Sequence, residues 1–370
     1  VLTRRALLAS LASLSAACAT RPWVPRSGIN HPAYLPGLVD LCLLPDGRHL
    51  AATTGRTLSL WSVPAAPAQP ALASVAHLAP LRLNTEAAAS VKAVVPLTVS
   101  SVLAVSHDAA ERNEGPYRLD VVDVASGAAE RVGRWHDFLR LWSSPDGAEL
   151  LVATGQSRSI LLGPRDRRAR VELRVGASHA AFSSNGKHVV LASYRKLTVV
   201  ERASGAVVRA LEVDDDVDAL LARPKLSGVF FTVRNQRAVR ALDLETGAVV
   251  RYEADVSTPH VLAALADGSI VARRERALVK LSGFDGQGRE PLDTSELAQL
   301  DDRSVSPAAL RLEPFPDRAR LLVSTSSEAR VVSLASGEDL ARVAFPLAAH
   351  APHEPHAPRA PAPRASGGGA

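Results

Sequence analysis

The chain has 370 residues, 46% hydrophobic and 22% charged, which is the composition of a folded protein and not of a disordered one. Its two cysteines exclude a disulfide scaffold and a multi-cysteine zinc or iron–sulfur centre. A formal net charge of +5, from 38 Arg and 5 Lys against 38 acidic residues, is too mild to single out nucleic acid as a partner.

Residues 1–18 read as an export signal. Arg4 and Arg5 form a short basic start, residues 6–17 are apolar or small, and Cys18 follows Ser15-Ala16-Ala17. The apolar stretch is too short to span a bilayer, which takes about 20 residues. Arg4-Arg5 resembles a twin-arginine signal, with general secretory export left open as the alternative route. The segment ending at Cys18 resembles a bacterial lipobox, although Leu14 stands one place earlier than that motif prefers. The resemblance implies a lipid on Cys18 and a chain anchored to a membrane, facing the periplasm or the cell surface. The lack of Met and the excess of Arg fit a valine-coded start at Val1 in a GC-rich bacterial gene. Residues 19–37 are Pro-rich without periodicity and are expected to be a tether.

Residues 38–347 repeat. Short apolar, alternating or β-branched runs are separated by turn residues, and no long helical period intervenes. Units begin near residues 38, 91, 138, 177, 217, 260 and 309. Each is expected to hold four strands. One landmark turn follows the first strand: Asp46-Gly47, Asp146-Gly147, Asn185-Gly186 and Asp267-Gly268, with Ser227-Gly228 and Asp317-Arg318 in the matching places. A second precedes the last strand: Ser126-Gly127, Ser204-Gly205, Thr246-Gly247, Asp285-Gly286 and Ser336-Gly337. Such pairs suit tight hairpins because glycine tolerates positive φ. Two landmarks sharing one period mark a repeat architecture.

The stretch LPDGRHLAATTGRTLSLWSV (44–63) resembles a WD40 unit, with Trp61 in the Trp place and Ser62 where Asp is usual. The hairpins at 199–213 and 241–254 resemble the last hairpin of YVTN-type blades. These resemblances imply an all-β fold, a seven-bladed β-propeller of four-stranded antiparallel blades.

In a propeller the first strand of each blade lies innermost. One polar residue falls near the start of each: Asp40, Lys92, Arg140, His179, Asp218, His260 and Arg311. They are expected to ring the channel mouth. Two readings stay open: a ligand or ion site, or groups that pair with one another and with backbone. Segments 107–116 and 294–308 are expected as long inserted loops on the channel-mouth face, with acidic Asp214, Asp215 and Asp216 beside them.

Residues 348–370 are Ala, Pro, His and Gly, a composition that builds no core. His350, His353 and His356 recur every third residue, so a polyproline-type helix would align them on one face as a weak site for a divalent metal. The chain carries no GxSxG, HExxH or Walker motif, and FDGQGR (284–289) lacks a following helix.

The sequence thus points to a non-enzymatic interaction scaffold of the cell envelope. It is expected to be a monomer that holds a protein partner on a propeller rim, with no nucleic acid and no resident cofactor. Two alternatives are a lactonase-like hydrolase with a channel-mouth metal on Asp40, His179, Asp218 and His260, and a metal-handling protein using the tail.

Overall fold

The computed structural model describes residues 40–53, 58–63, 89–108, 117–135, 139–144, 147–154, 158–163, 168–257, 262–284, 293–300, 310–325 and 328–344. These residues form an all-β propeller. Seven antiparallel sheets follow one another along the chain, and the strands within each sheet are paired in chain order. Six sheets have four strands. The first has three: Asp40–Leu43, His49–Thr53 and Leu58–Ser62. The fourth strand expected there, at 71–78, lies outside the described residues.

Blades 2 to 7 begin with Ala89–Thr98, Leu139–Ser143, His179–Phe182, Val217–Ala222, Leu262–Ala264 and Arg311–Pro314. These first strands are innermost and touch those of neighbouring blades. The outermost strands are largely exposed, as at Val207–Glu212 and Val249–Glu253. The outer strand of blade 7 is Asp339–Ala344, paired with Glu328–Ser333.

A central strand of each blade is apolar on both faces, as in Gly228–Val233, where all six residues are buried. One blade cannot shield both faces, so each face needs a neighbour. Among the described residues the buried apolar side chains fall into seven clusters, and each cluster joins two adjacent blades. Blades 5 and 6 share Phe230, Tyr252, Ile270 and Leu281. Blades 3 and 4 share Trp142, Leu161, Phe182 and Leu191. Blade 1 meets blade 2 through Cys42, Leu58, Val94 and Val102. Blade 1 also meets blade 7, through Leu41, Leu50, Phe315 and Leu322. Seven sheets with seven interfaces make a closed ring, whereas an open arc would leave one interface missing.

Polar contacts reinforce the joints. Glu149 of blade 3 is 8% exposed. It accepts a hydrogen bond from Arg202 Nε of blade 4 at 2.6 Å and one from Arg170 Nη1 of its own blade at 3.2 Å. Arg202 also donates to the Gly186 carbonyl at 3.3 Å.

Among the described residues the landmark turns hold with one correction, and Asp285-Gly286 lies outside them. Gly47, Gly147, Gly186 and Gly268 take positive φ, as does Arg318 where no glycine is present. In blade 5 the expected Ser227-Gly228 turn is displaced. Lys225 is the left-handed residue, at φ 65, and Gly228 instead opens the second strand. Gly228 is required there for room: a Cβ would stand 2.7 Å from the Leu242 carbonyl oxygen of the adjacent strand. Lysine pays a steric cost at positive φ that glycine avoids. Lys225→Gly is therefore expected to stabilise the fold by about 0.5 kcal/mol, after the larger chain entropy of unfolded glycine is subtracted. Urea unfolding midpoints measure it; a midpoint below that of the parent chain would refute it.

The second correction concerns segment 294–308. Residues Asp293–Gln299 are the outer strand of blade 6, paired with Ala277–Ser282. Most of this strand is exposed, but Leu297 and the following Leu300 are buried between blades 6 and 7. An outermost strand needs few apolar anchors, so a polar run can fill the role. Residues 107 and 108 likewise belong to a strand, Ser101–Asp108. The remainder of both expected loops, 109–116 and 301–309, lies outside the described residues.

Candidate functional site

The seven channel-mouth candidates meet different fates. Asp40, Arg140, His179, Asp218 and Arg311 stand at or next to the start of their innermost strands, as the repeat register requires. Lys92 lies within Ala89–Thr98, at a register shift against the second strand of its blade. His260 lies outside the described residues. So do Arg4, Arg5, Cys18, His350, His353 and His356.

Asp40 is a closing clasp. It is 3% exposed and forms an ion pair with Arg311 across the joint between blades 1 and 7. Its Oδ1 accepts from Leu41 N–H at 2.8 Å, and its Oδ2 accepts from Val94 N–H of blade 2 at 2.9 Å. One carboxylate therefore links blades 7, 1 and 2. Glu313 of blade 7 adds a second link, accepting from Leu43 N–H at 2.7 Å. On this arc the pairing reading holds: the carboxylate is committed to neighbouring protein groups.

The opposite arc differs. Arg140 reaches from blade 3 towards blade 4, where its Nη1 donates to the Ala177 carbonyl at 3.3 Å. His179 opens blade 4, and its Nδ1 lies 3.3 Å from Ser178 Oγ. Asp218 occupies a bulge at the start of blade 5. Bulges re-aim side chains and recur beside functional sites. Tyr194 sits in the hairpin turn after the second strand of blade 4, at φ 51. Its carbonyl accepts from Val217 N–H at 3.0 Å, which ties that turn to the start of blade 5. Arg234 holds the equivalent turn of blade 5 and pairs with Asp216 at 3.0 Å.

Burial, first, and the Arg140 guanidinium, second, push the His179 pKa down to about 4; Asp218 pulls it upwards and Arg234 pushes it further down. Burial likewise draws Arg140 below the usual arginine range, against an opposing pull from Tyr194. The folded pKa of His179 lies below the unfolded value near 6.5, so the unfolded chain takes up its proton first. His179 thus supports the fold above about pH 6.5, and this support is lost as the pH falls towards 4. His179→Gln is expected to flatten the decline of the urea midpoint over that window. An unchanged slope would count against it.

The acidic loop is already neutralised. Asp214 pairs with Arg240 at 2.7 Å and accepts from Gln236 at 2.7 Å, Asp215 faces Arg195 at 3.8 Å, and Asp216 holds Arg234. Hydrogen bonds from Arg240 and Gln236 keep the Asp214 carboxyl far below the usual carboxylate range. The three carboxylates of this loop are therefore each paired with an arginine of the same face.

Among the described residues no group of three His, Cys, Asp or Glu side chains stands close enough to hold a metal. Of the hydrolase set, Asp40 belongs to the blade 7–1–2 clasp, His179 and Asp218 open blades 4 and 5 and interact electrostatically, and His260 lies outside the described residues.

Sequence reasoning did not single out Tyr194 and Arg234 beside Arg140 and His179, nor Glu313 and Glu149 at the joints between blades. The hairpin register could have placed Tyr194 and Arg234, since each follows the second strand of its blade. Glu149 and Glu313 carry no local signal.

The architecture has counterparts among solved structures. A chain in "Crystal Structure of Mitotic Checkpoint Complex" matches with a TM-score of 0.58 and 15% sequence identity, covering 83% of this chain and 88% of that one. The chain has a WD40-like β-propeller fold. As many as 1202 chains of solved structures match, so the likeness specifies a widely shared shape and no activity. No protein-family model matches the sequence. No curated protein matches it either.

Proposed function

We propose that this chain is a non-enzymatic interaction scaffold of a bacterial cell envelope, a seven-bladed propeller in which the three-stranded sheet is the first blade. In this reading Arg4 and Arg5 direct export, Cys18 carries the lipid anchor, and the propeller works as a monomer that holds a protein partner on its channel-mouth rim. The rim itself carries the argument. Tyr194 is 58% exposed on a hairpin turn. Arg195 lies next to it, and Arg234 and Arg237 stand in the corresponding turn of blade 5. Tyrosine and arginine are the residue types enriched at the energetic centres of protein interfaces. The structural neighbour comes from a protein complex, and fold-level analogy favours the same general use here.

The test compares partners captured from envelope extract by the parent chain and by a Tyr194→Ala, Arg237→Glu variant with an unchanged melting temperature. Loss of a specific partner is expected. An identical set of partners would overturn the rim assignment. Cys18→Ser should move the protein from the membrane to the soluble fraction, and retention at the membrane would overturn the anchor.

A further inference from the structure

The mouth between blades 3, 4 and 5 holds a cation, Arg140, that forms no ion pair among the described residues. The Arg140 guanidinium has five N–H donors and, among the described residues, makes one hydrogen bond, to the Ala177 carbonyl. Among the described residues no carboxylate forms an ion pair with it. In the loop that leads into blade 5, Asp214 pairs with Arg240, Asp215 with Arg195 and Asp216 with Arg234, while Asp218 acts on His179. A half-buried guanidinium without a counter-ion is costly, and an anion placed against its free edge would offset that cost. His179 stands beside it with a neutral imidazole, and Ser178 contacts the ring from the same segment. The contrast with the other arc is direct, because Arg311 is matched there by Asp40.

We propose that this arc of the channel mouth is an oxyanion site, taking a carboxylate or a phosphate-type group on Arg140 with the His179 imidazole as the second donor. The site goes beyond the scaffold reading and does not depend on it. Among the described residues the charged neighbours act in opposite senses. Arg140 from blade 3 and Arg234 from the blade 5 turn attract the anion, Asp218 from blade 5 opposes it, and Tyr194 lies within the field of Arg140. A bound anion favours the imidazolium, so binding takes up a proton and tightens as the pH falls.

Sulfate and acetate, titrated separately into the full chain, are suitable probes, followed through the His179 ring signals by NMR. Sulfate remains a dianion across this range, so its pH dependence reports the protein. Saturable binding is expected, tighter at pH 5.5 than at pH 7.5. Arg140→Gln should weaken it at least about tenfold, while Arg140→Lys should keep most of it. Asp218→Asn should tighten it about threefold, a gain that a damaged fold would not produce. Sulfate binding alone assigns a phosphate-type ligand, and binding of both assigns a carboxylate as well. Equal affinity in the parent and Arg140→Gln, no gain in Asp218→Asn, or no saturable shift below ~50 mM of either anion would overturn the proposal.

Discussion

Asp40→Ala is expected to lose about 3–5 kcal/mol of stability, the cost typical of removing one partner from a buried ion pair. The Asp40 side chain is 1% exposed and its partner Arg311 is 22% exposed, so water cannot replace the lost contact cheaply. The loss has three parts. Arg311 is left without this counter-ion, Val94 N–H loses its acceptor in blade 2, and Leu41 N–H loses its own. The first falls at the joint that closes the ring and the second at the joint between blades 1 and 2. Paired replacement gives a sharper test. Asp40→Leu with Arg311→Met removes both charges at once, and such swaps are often neutral when the packing is good. The double variant should therefore recover much of the loss, apart from the cost of the unpaired N–H groups. Urea unfolding of the single and double variants measures the coupling. A single-variant loss below about 1 kcal/mol would place the pair in the class of exposed ion pairs and remove the clasp.

Glu149→Ala should have the second-largest effect, about 3 kcal/mol, by the same mechanism at the joint between blades 3 and 4. The Glu149 side chain is 11% exposed and that of Arg202 is 15% exposed. The third member, Arg170, is 43% exposed and is largely screened by solvent. The two guanidiniums therefore differ in weight. Arg202→Ala should cost nearly as much as Glu149→Ala, and Arg170→Ala less than about 1 kcal/mol. Arg202 also stacks 5.8 Å from the Phe182 ring centroid, so its removal loses packing as well as charge. Thermal melts of the three variants decide the ranking. Equal effects of Arg170→Ala and Arg202→Ala would mean that burial does not set the strength of this joint.

The repeat was legible because its signals are local. An Asp-Gly or Ser-Gly pair marks a hairpin within four residues, and the alternation of each strand is visible within six. Local signals also explain the two errors. Gly228 lies three residues from Lys225, and glycine drew the turn to itself although it was needed for close strand packing. The strand Asp293–Gln299 is polar because only Leu297 and its neighbours must reach the core, so it read as a loop.

The candidate site was half legible. Register alone placed Asp40, Arg140, His179, Asp218 and Arg311 on the innermost strands. It could not say which of them neutralise each other. Asp40 and Arg311 meet only because the last blade returns to the first, a closure that also joins Leu43 to Glu313 across 270 residues of chain. Sequence by itself determined the all-β repeat, the strand order within blades and the ring positions, since these follow from side-chain period and turn chemistry. Tertiary structure decided the closed ring, the Asp40 clasp and the placing of Arg140 against the start of blade 4, because charge balance depends on which blade stands next to which.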